Sequence, residues 1–204
     1  GTGIGADLKH VLASFPLWIL GVTYMSVKFV RYSILFWLPF YMSTQLGYSD
    51  KEAGLTSMVF GLAGMGGAIF AGVVSDNYYA GRRAPIVVIM LTLLAGACLL
   101  YVPMSHMGRM ENIVAISLIG VLLFGPDSVV SGVAAVDFGR AESAALATGF
   151  VNGLGSIGAA LSGIATGWIS DAYGWNAVFV LFSPMLLLAS ALMVTLWRAT
   201  PQEN

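Results

Sequence analysis

Val27-Lys28-Phe29-Val30-Arg31-Tyr32-Ser33-Ile34-Leu35-Phe36-Trp37-Leu38-Pro39-Phe40-Tyr41 sets two cations inside a run that is otherwise apolar enough to cross a bilayer. A Lys or Arg at the centre of a membrane helix costs roughly 2.5 to 3.5 kcal/mol on insertion scales, so two on neighbouring turns need a compensating partner. An anion held at mid-depth is such a partner. Lys28 and Arg31 are three residues apart, on one helix face about a turn from each other, and Tyr24 lies one turn earlier on the same side. Both cations lie about eleven to fourteen residues beyond Leu17, where the apolar run begins, which is too deep for snorkelling to the interface to explain them well. Trp37, Pro39 and Tyr41 then read as aromatic rings and a helix breaker at the membrane–water boundary.

The rest of the chain supports a membrane setting. Of 204 residues, 58% are hydrophobic and 9% charged, against about 25% charged in a soluble domain, and the mean hydropathy is +0.85. Six apolar segments recur, about Leu17 to Met42, Ala53 to Ser75, Ala84 to Pro103, Ile113 to Val136, Ser143 to Ile169 and Trp175 to Trp197. Each reaches the roughly 20 residues a spanning helix needs, and the alternating runs of about 10 residues that build a membrane barrel do not occur. The expected fold is an all-α membrane protein: a cytoplasmic lead-in over residues 1–14, a six-helix bundle over 15–198 and a cytoplasmic tail over 199–204.

With the N-terminus in the cytoplasm, Lys9, Arg82, Arg83, Arg140 and Arg198 fall inside and only Lys51 and Arg109 outside, as the positive-inside rule requires. A net charge of -1 gives no bulk attraction to nucleic acid. The lone Cys98 excludes an intrachain disulfide and reads as a packing residue. Residues 1–10 lack the pattern of a cleavable signal peptide, and the opening Gly1 predicts a piece of a longer protein. No metal-ligand cluster, nucleophile–base pair or phosphate-cradling loop is visible, so neither an enzyme nor a cofactor is expected.

Ser49 and Glu52 form a capping-box pattern before the second span. That span is rich in small residues, and the four-residue pairs Ala63/Gly67, Gly64/Ala68 and Ala68/Gly72 predict a tight helix pair. Asp76 closes it, with Arg82 and Arg83 just beyond. Either this is an ordinary basic loop with an incidental acid, or the carboxylate clasps the arginines and lets go when helices separate. The third span looks like a lipid-facing support, and His106, Arg109 and Glu111 in the following loop read as solvated. In Phe124-Gly125-Pro126-Asp127-Ser128 the Gly and Pro predict a kink or unwinding at membrane depth. Asp127 is a third intramembrane charge, at a counted depth matching Lys28. The expectation is that Asp127 pairs with Lys28 and leaves Arg31 free for a ligand. On the fifth span Gly149/Gly153 and Gly163/Gly167 predict close contact. Asn152 either lines the same cavity or makes an interhelical hydrogen bond. Asp171-Ala172-Tyr173-Gly174-Trp175 reads as the last outer turn.

Val30-Arg31-Tyr32-Ser33 with Trp37-Leu38-Pro39-Phe40-Tyr41, the Gly72/Ser75/Asp76/Gly81/Arg82/Arg83 loop, Phe124-Gly125-Pro126 and the Gly-rich fifth span resemble one half of a major facilitator superfamily transporter. The likeness is specifically to the C-terminal six-helix half of the organophosphate:phosphate antiporter family, to which glycerol-3-phosphate and hexose-6-phosphate transporters belong. The resemblance implies a secondary transporter that exchanges a phosphorylated organic anion for inorganic phosphate. It also implies a bacterial inner-membrane location and an N-terminal six-helix half as partner. Arg31 matches the arginine that this helix supplies to phosphate, a role suited to the bidentate guanidinium fork. Lys28, Tyr24, Asp127 and Asn152 would complete the substrate site, and Asp76, Arg82 and Arg83 the cytoplasmic gate. The two extra residues between Asp76 and Gly81 also look like this family, whereas Asp127 matches no family role. Three rivals stand: a membrane sensor of sugar phosphate, a proton-coupled organic anion symporter using Asp127, and an assembly subunit whose cations meet a partner's acids.

Overall fold

A computed structural model describes residues 4–79, 81–134 and 144–199. Six helices are long and apolar enough to cross a membrane. A short helix α1 (Ile4–Ala13) leads into α2 (Phe15–Gln45), α3 (Asp50–Tyr78), α4 (Ala84–Ser105) and α5 (Arg109–Ser128). A π-helical segment, Val129–Ala134, continues α5, and α6 (Ala144–Tyr173) and α7 (Trp175–Val194) complete the bundle. No strand occurs among the described residues. The connection holding Arg140 and the residues beyond Ala199 lie outside them.

Local chemistry sets the ends. The Ser49 Oγ accepts from the Glu52 N–H at 3.3 Å and the Ser49 N–H donates to Glu52 Oε2 at 3.0 Å, the expected capping box at the start of α3. Gly174 takes φ +82° and donates its N–H to the Ser170 carbonyl at 3.0 Å, which turns α6 into α7.

The lead-in is helical over Ile4–Ala13, with Asp7 in its first turn and His10 in its last, signs that suit the helix dipole, and three other expectations need correction. Val11 packs inward, and the Trp18 indole donates to the Leu12 carbonyl at 2.9 Å across the corner. Pro39 does not end α2, which runs on to Gln45, since a membrane helix tolerates Pro where its surroundings satisfy the freed carbonyl. Tyr41 is not an interfacial ring but 1% exposed, bonded to the Ser105 hydroxyl at 2.7 Å and stacked among Tyr101, Trp175 and Phe179. Arg109 starts α5 rather than lying in a solvated loop. It pairs with Glu52 and covers the Tyr48 ring, while Asn112 is fully buried between the Tyr48 and Tyr101 hydroxyls.

The helices form two interlocked triples. α2 packs on α6 as α5 packs on α3, and α7 packs on α2 as α4 packs on α5. Exchanging α2, α3, α4 for α5, α6, α7 maps these four pairings onto one another, although the α2–α3 contact has no comparable α5–α6 counterpart. α2 and α5 change places in this exchange, and they carry Arg31 and Asp127.

Glycine decides how near the triples come. A Cβ on Gly67 of α3 would stand 2.1 Å from the Val121 carbonyl oxygen, and one on Gly158 of α6 would stand 2.1 Å from that of Met25. The tight pair expected of α3 is therefore present, made by Gly64 and Gly67, while Gly72 meets nothing within 4 Å among the described residues. On α6 the expected pairs hold only in part: among the described residues Gly149, Gly153 and Gly163 meet nothing within 4 Å, whereas a Cβ on Gly167 would stand 2.9 Å from the Trp37 ring of α2, and Gly155 and Gly158 make the other close approaches. The buried stripe Ala147, Val151, Gly155, Gly158, Ser162, Thr166 advances by fours and a three. Steps of four alone drift off the face of a helix with 3.6 residues per turn.

Candidate functional site

α2 and α5 meet at an ion pair. Arg31 Nη1 donates to Asp127 Oδ2 at 2.6 Å, and the guanidinium lies over the Phe124 ring with its central carbon 4.3 Å from the centroid. Phe124 and Asp127 are three apart on α5, as Lys28 and Arg31 are on α2, so each helix offers one face with two functional groups. Asp127 is 7% exposed and its buried Oδ1 finds no hydrogen-bond partner among the described residues. The Arg31 side chain is 28% exposed, so part of its donor fork stays open.

The expected Lys28–Asp127 pair is thus replaced by Arg31–Asp127. Counting depth along two helices ignored azimuth: positions three apart still differ by about 60° around the axis. Lys28 turns toward α6, where Gly155 leaves room, and its Nζ sits 4.8 Å from the centroid of the Tyr24 ring. Among the described residues Lys28 makes no ion pair. Tyr24 is buried between Lys28 and α6. Two cations and one carboxylate leave the cluster with one net positive charge.

Asn152 is half-buried on α6 and donates to the Thr148 carbonyl of its own helix at 3.0 Å. That is not the interhelical hydrogen bond expected as one alternative, and no hydrogen bond or ion pair among the described residues joins it to the cluster. What sequence reading missed is the aromatic platform under Arg31. Its signal was Phe124 one turn before Asp127.

At the end of α3 the predicted gate residues divide. Arg83 Nη1 donates to Asp76 Oδ1 at 2.5 Å and to the buried Ser75 hydroxyl at 3.1 Å, joining the end of α3 to the start of α4. Arg82 instead donates from Nε to the Tyr79 carbonyl at 3.2 Å. Gly81, at φ +76°, sends its N–H to the Ser75 carbonyl at 3.1 Å, which fixes the turn. Ser75 thereby holds both sides of the clasp. Among the described residues no group of three His, Cys, Asp or Glu is placed to hold a metal ion.

Chemically, the α2–α5 cluster is a guanidinium at membrane depth with donors to spare, a π-face beneath it, a single competing carboxylate and a second cation at hand. Such a cluster has the chemistry to accept an anion. A bundle of six helices long and apolar enough to cross a membrane, with Arg31, Lys28 and Asp127 set within the apolar runs of α2 and α5, defines a multi-pass integral membrane protein. Residues 20–204 match the model of the Major Facilitator Superfamily, and the chain belongs to that superfamily.

Its relatives narrow the likeness. The chain is 37% identical over 176 residues to a glucose-6-phosphate exchanger of Mus musculus, covering 83% of this chain and 34% of the relative. It is 33% identical over 180 residues to sugar phosphate exchanger 3 of Homo sapiens, covering 85% and 35%. It is 28% identical over 191 residues to the glycerol-3-phosphate transporter of Bacillus subtilis (strain 168), covering 93% and 43%. The chain therefore spans between 34% and 43% of the length of these relatives. The resemblance drawn from the arginine motif and the loop after Gly72 is borne out by this set.

Proposed function

We infer that the chain is the C-terminal six-span half of a secondary transporter that exchanges a phosphorylated organic anion for inorganic phosphate. The observation that carries this reading is Arg31: a guanidinium at membrane depth, set on an aromatic ring, and partly open to a further anion. The names of the relatives, sugar phosphate exchangers and a glycerol-3-phosphate transporter, supply the phosphate ester as the anion's class. Arg31 binds the phosphate, Lys28 and Asp127 tune its charge, and Tyr24 and Asn152 line the same face. The partner is an N-terminal six-helix half, and rocking of one half against the other alternates access to the site. Asp76, Arg82 and Arg83 form the gate on the cytoplasmic side of the bacterial inner membrane, where both termini also lie.

The test uses the complete parent chain in proteoliposomes. Vesicles loaded with inorganic phosphate should take up labelled glucose-6-phosphate or glycerol-3-phosphate, and empty vesicles should not. Equal uptake with and without internal phosphate overturns exchange. Binding of the ester with no flux reassigns the protein to sensing.

A further inference from the structure

The anion side of Arg31 is already occupied. Asp127 reaches it through one oxygen at 2.6 Å, while the other oxygen is buried and without a partner among the described residues. An ion pair built as a permanent anchor would use both oxygens, since an unmatched buried acceptor is costly and the fork-to-fork geometry is the stronger one. This pair is half made. Lys28, one turn from Arg31 on the same face of α2, makes no ion pair among the described residues and stands over Tyr24.

We propose that Asp127 is a tethered counter-anion that an incoming phosphate displaces from Arg31 and that is handed to Lys28 when the site fills. The inference rests on the phosphate reading of Arg31 and adds how the site treats its own charges. In the empty site the couple is Arg31–Asp127. In the filled site phosphate takes the guanidinium fork and Lys28–Asp127 becomes the couple. At no point is the carboxylate left buried and uncompensated, the condition that makes breaking a buried pair expensive. The exchange also sets affinity: phosphate must outbid a carboxylate already in place, so it binds more weakly and leaves more readily than it would at a bare arginine.

A double-mutant cycle in the complete parent chain tests the handover, with binding of inorganic phosphate measured by calorimetry. Asp127→Asn removes the competitor and should lower Kd roughly tenfold, equivalent to about 1.4 kcal/mol. Lys28→Gln removes the receiver and should raise Kd by a similar factor. In the Asp127→Asn background Lys28→Gln should change little, because there is no carboxylate left to receive. Weaker binding by Asp127→Asn makes the acid a positioning group for Arg31 and overturns the proposal. An undiminished effect of Lys28→Gln in that background makes Lys28 a direct phosphate ligand and overturns it too. A second measurement needs no variant of Asp127: the phosphate-induced infrared difference spectrum of the wild type should show a shifted carboxylate stretch, and its absence contradicts the handover. Wild type that binds neither inorganic phosphate nor a phosphate ester defeats the phosphate reading itself, a result distinguishable from all of these.

Discussion

At the scale of single residues, one arginine organises the site and its neighbours set its availability. The Phe124 ring, 4.3 Å from the guanidinium carbon, gives Arg31 a fixed plane, and a cation over an aromatic face is worth about 0.5 to 2 kcal/mol. Phe124→Leu keeps the volume nearly constant and removes the π-face. The expected outcome is a KM for phosphate ester raised roughly 2- to 30-fold with unchanged protein yield, measured by exchange in proteoliposomes. An unaltered KM would show that the ring only fills space. That Arg31, Lys28 and Asp127 belong together was legible in the sequence, because each is an isolated charge in an apolar run. Which cation meets the acid was not, since spacing along a helix gives depth and leaves azimuth to the neighbours, here Gly155 of α6 and Phe124 of α5.

At the scale of helices, their existence was the legible part. Length and apolarity located all six spans to within a few residues at most ends, and Ser49 with Glu52 and Gly174 marked two of those ends. Two features were less visible. The Gly125-Pro126 pair predicted a kink, and the departure from α-helix falls just beyond it as the π-helical segment Val129–Ala134, which continues the helix that carries Asp127. The glycine contacts were the other. α6 holds enough small residues to offer several four-residue pairs, and only packing selects the stripe through Gly155 and Gly158. Gly158→Val should force α6 off the Met25 carbonyl of α2, whereas Gly96→Ala on α4 adds its Cβ to open space. Thermal unfolding in detergent should show the first losing about 1 to 3 kcal/mol, the range for overpacking a tight contact, and the second unchanged or slightly stabilised. Equal midpoints would mean that the α2–α6 contact is looser than drawn.

At the scale of the whole molecule, the interlocked triples place the ion pair between α2 and α5 and the clasp at the end of the bundle between α3 and α4. Asp76 is 61% exposed at its side chain, so its pair with Arg83 is screened and contributes little to stability. In the proposed gate its part is to bias the equilibrium between conformations. Asp76→Asn should lower the exchange rate about fivefold or more while leaving KM near wild type, the sign of a shifted conformational equilibrium. An equal effect on KM would place the loop in the substrate site instead. The measurement that tests the central claim most directly is exchange of labelled inorganic phosphate by the complete parent chain, wild type against Arg31→Lys. Lysine keeps the charge and removes the planar fork, so geometry is tested apart from electrostatics. The account predicts brisk exchange by wild type and a loss of at least about tenfold in the variant. Exchange by Arg31→Lys at the wild-type rate would contradict it, because phosphate would then be held by charge alone or by another residue.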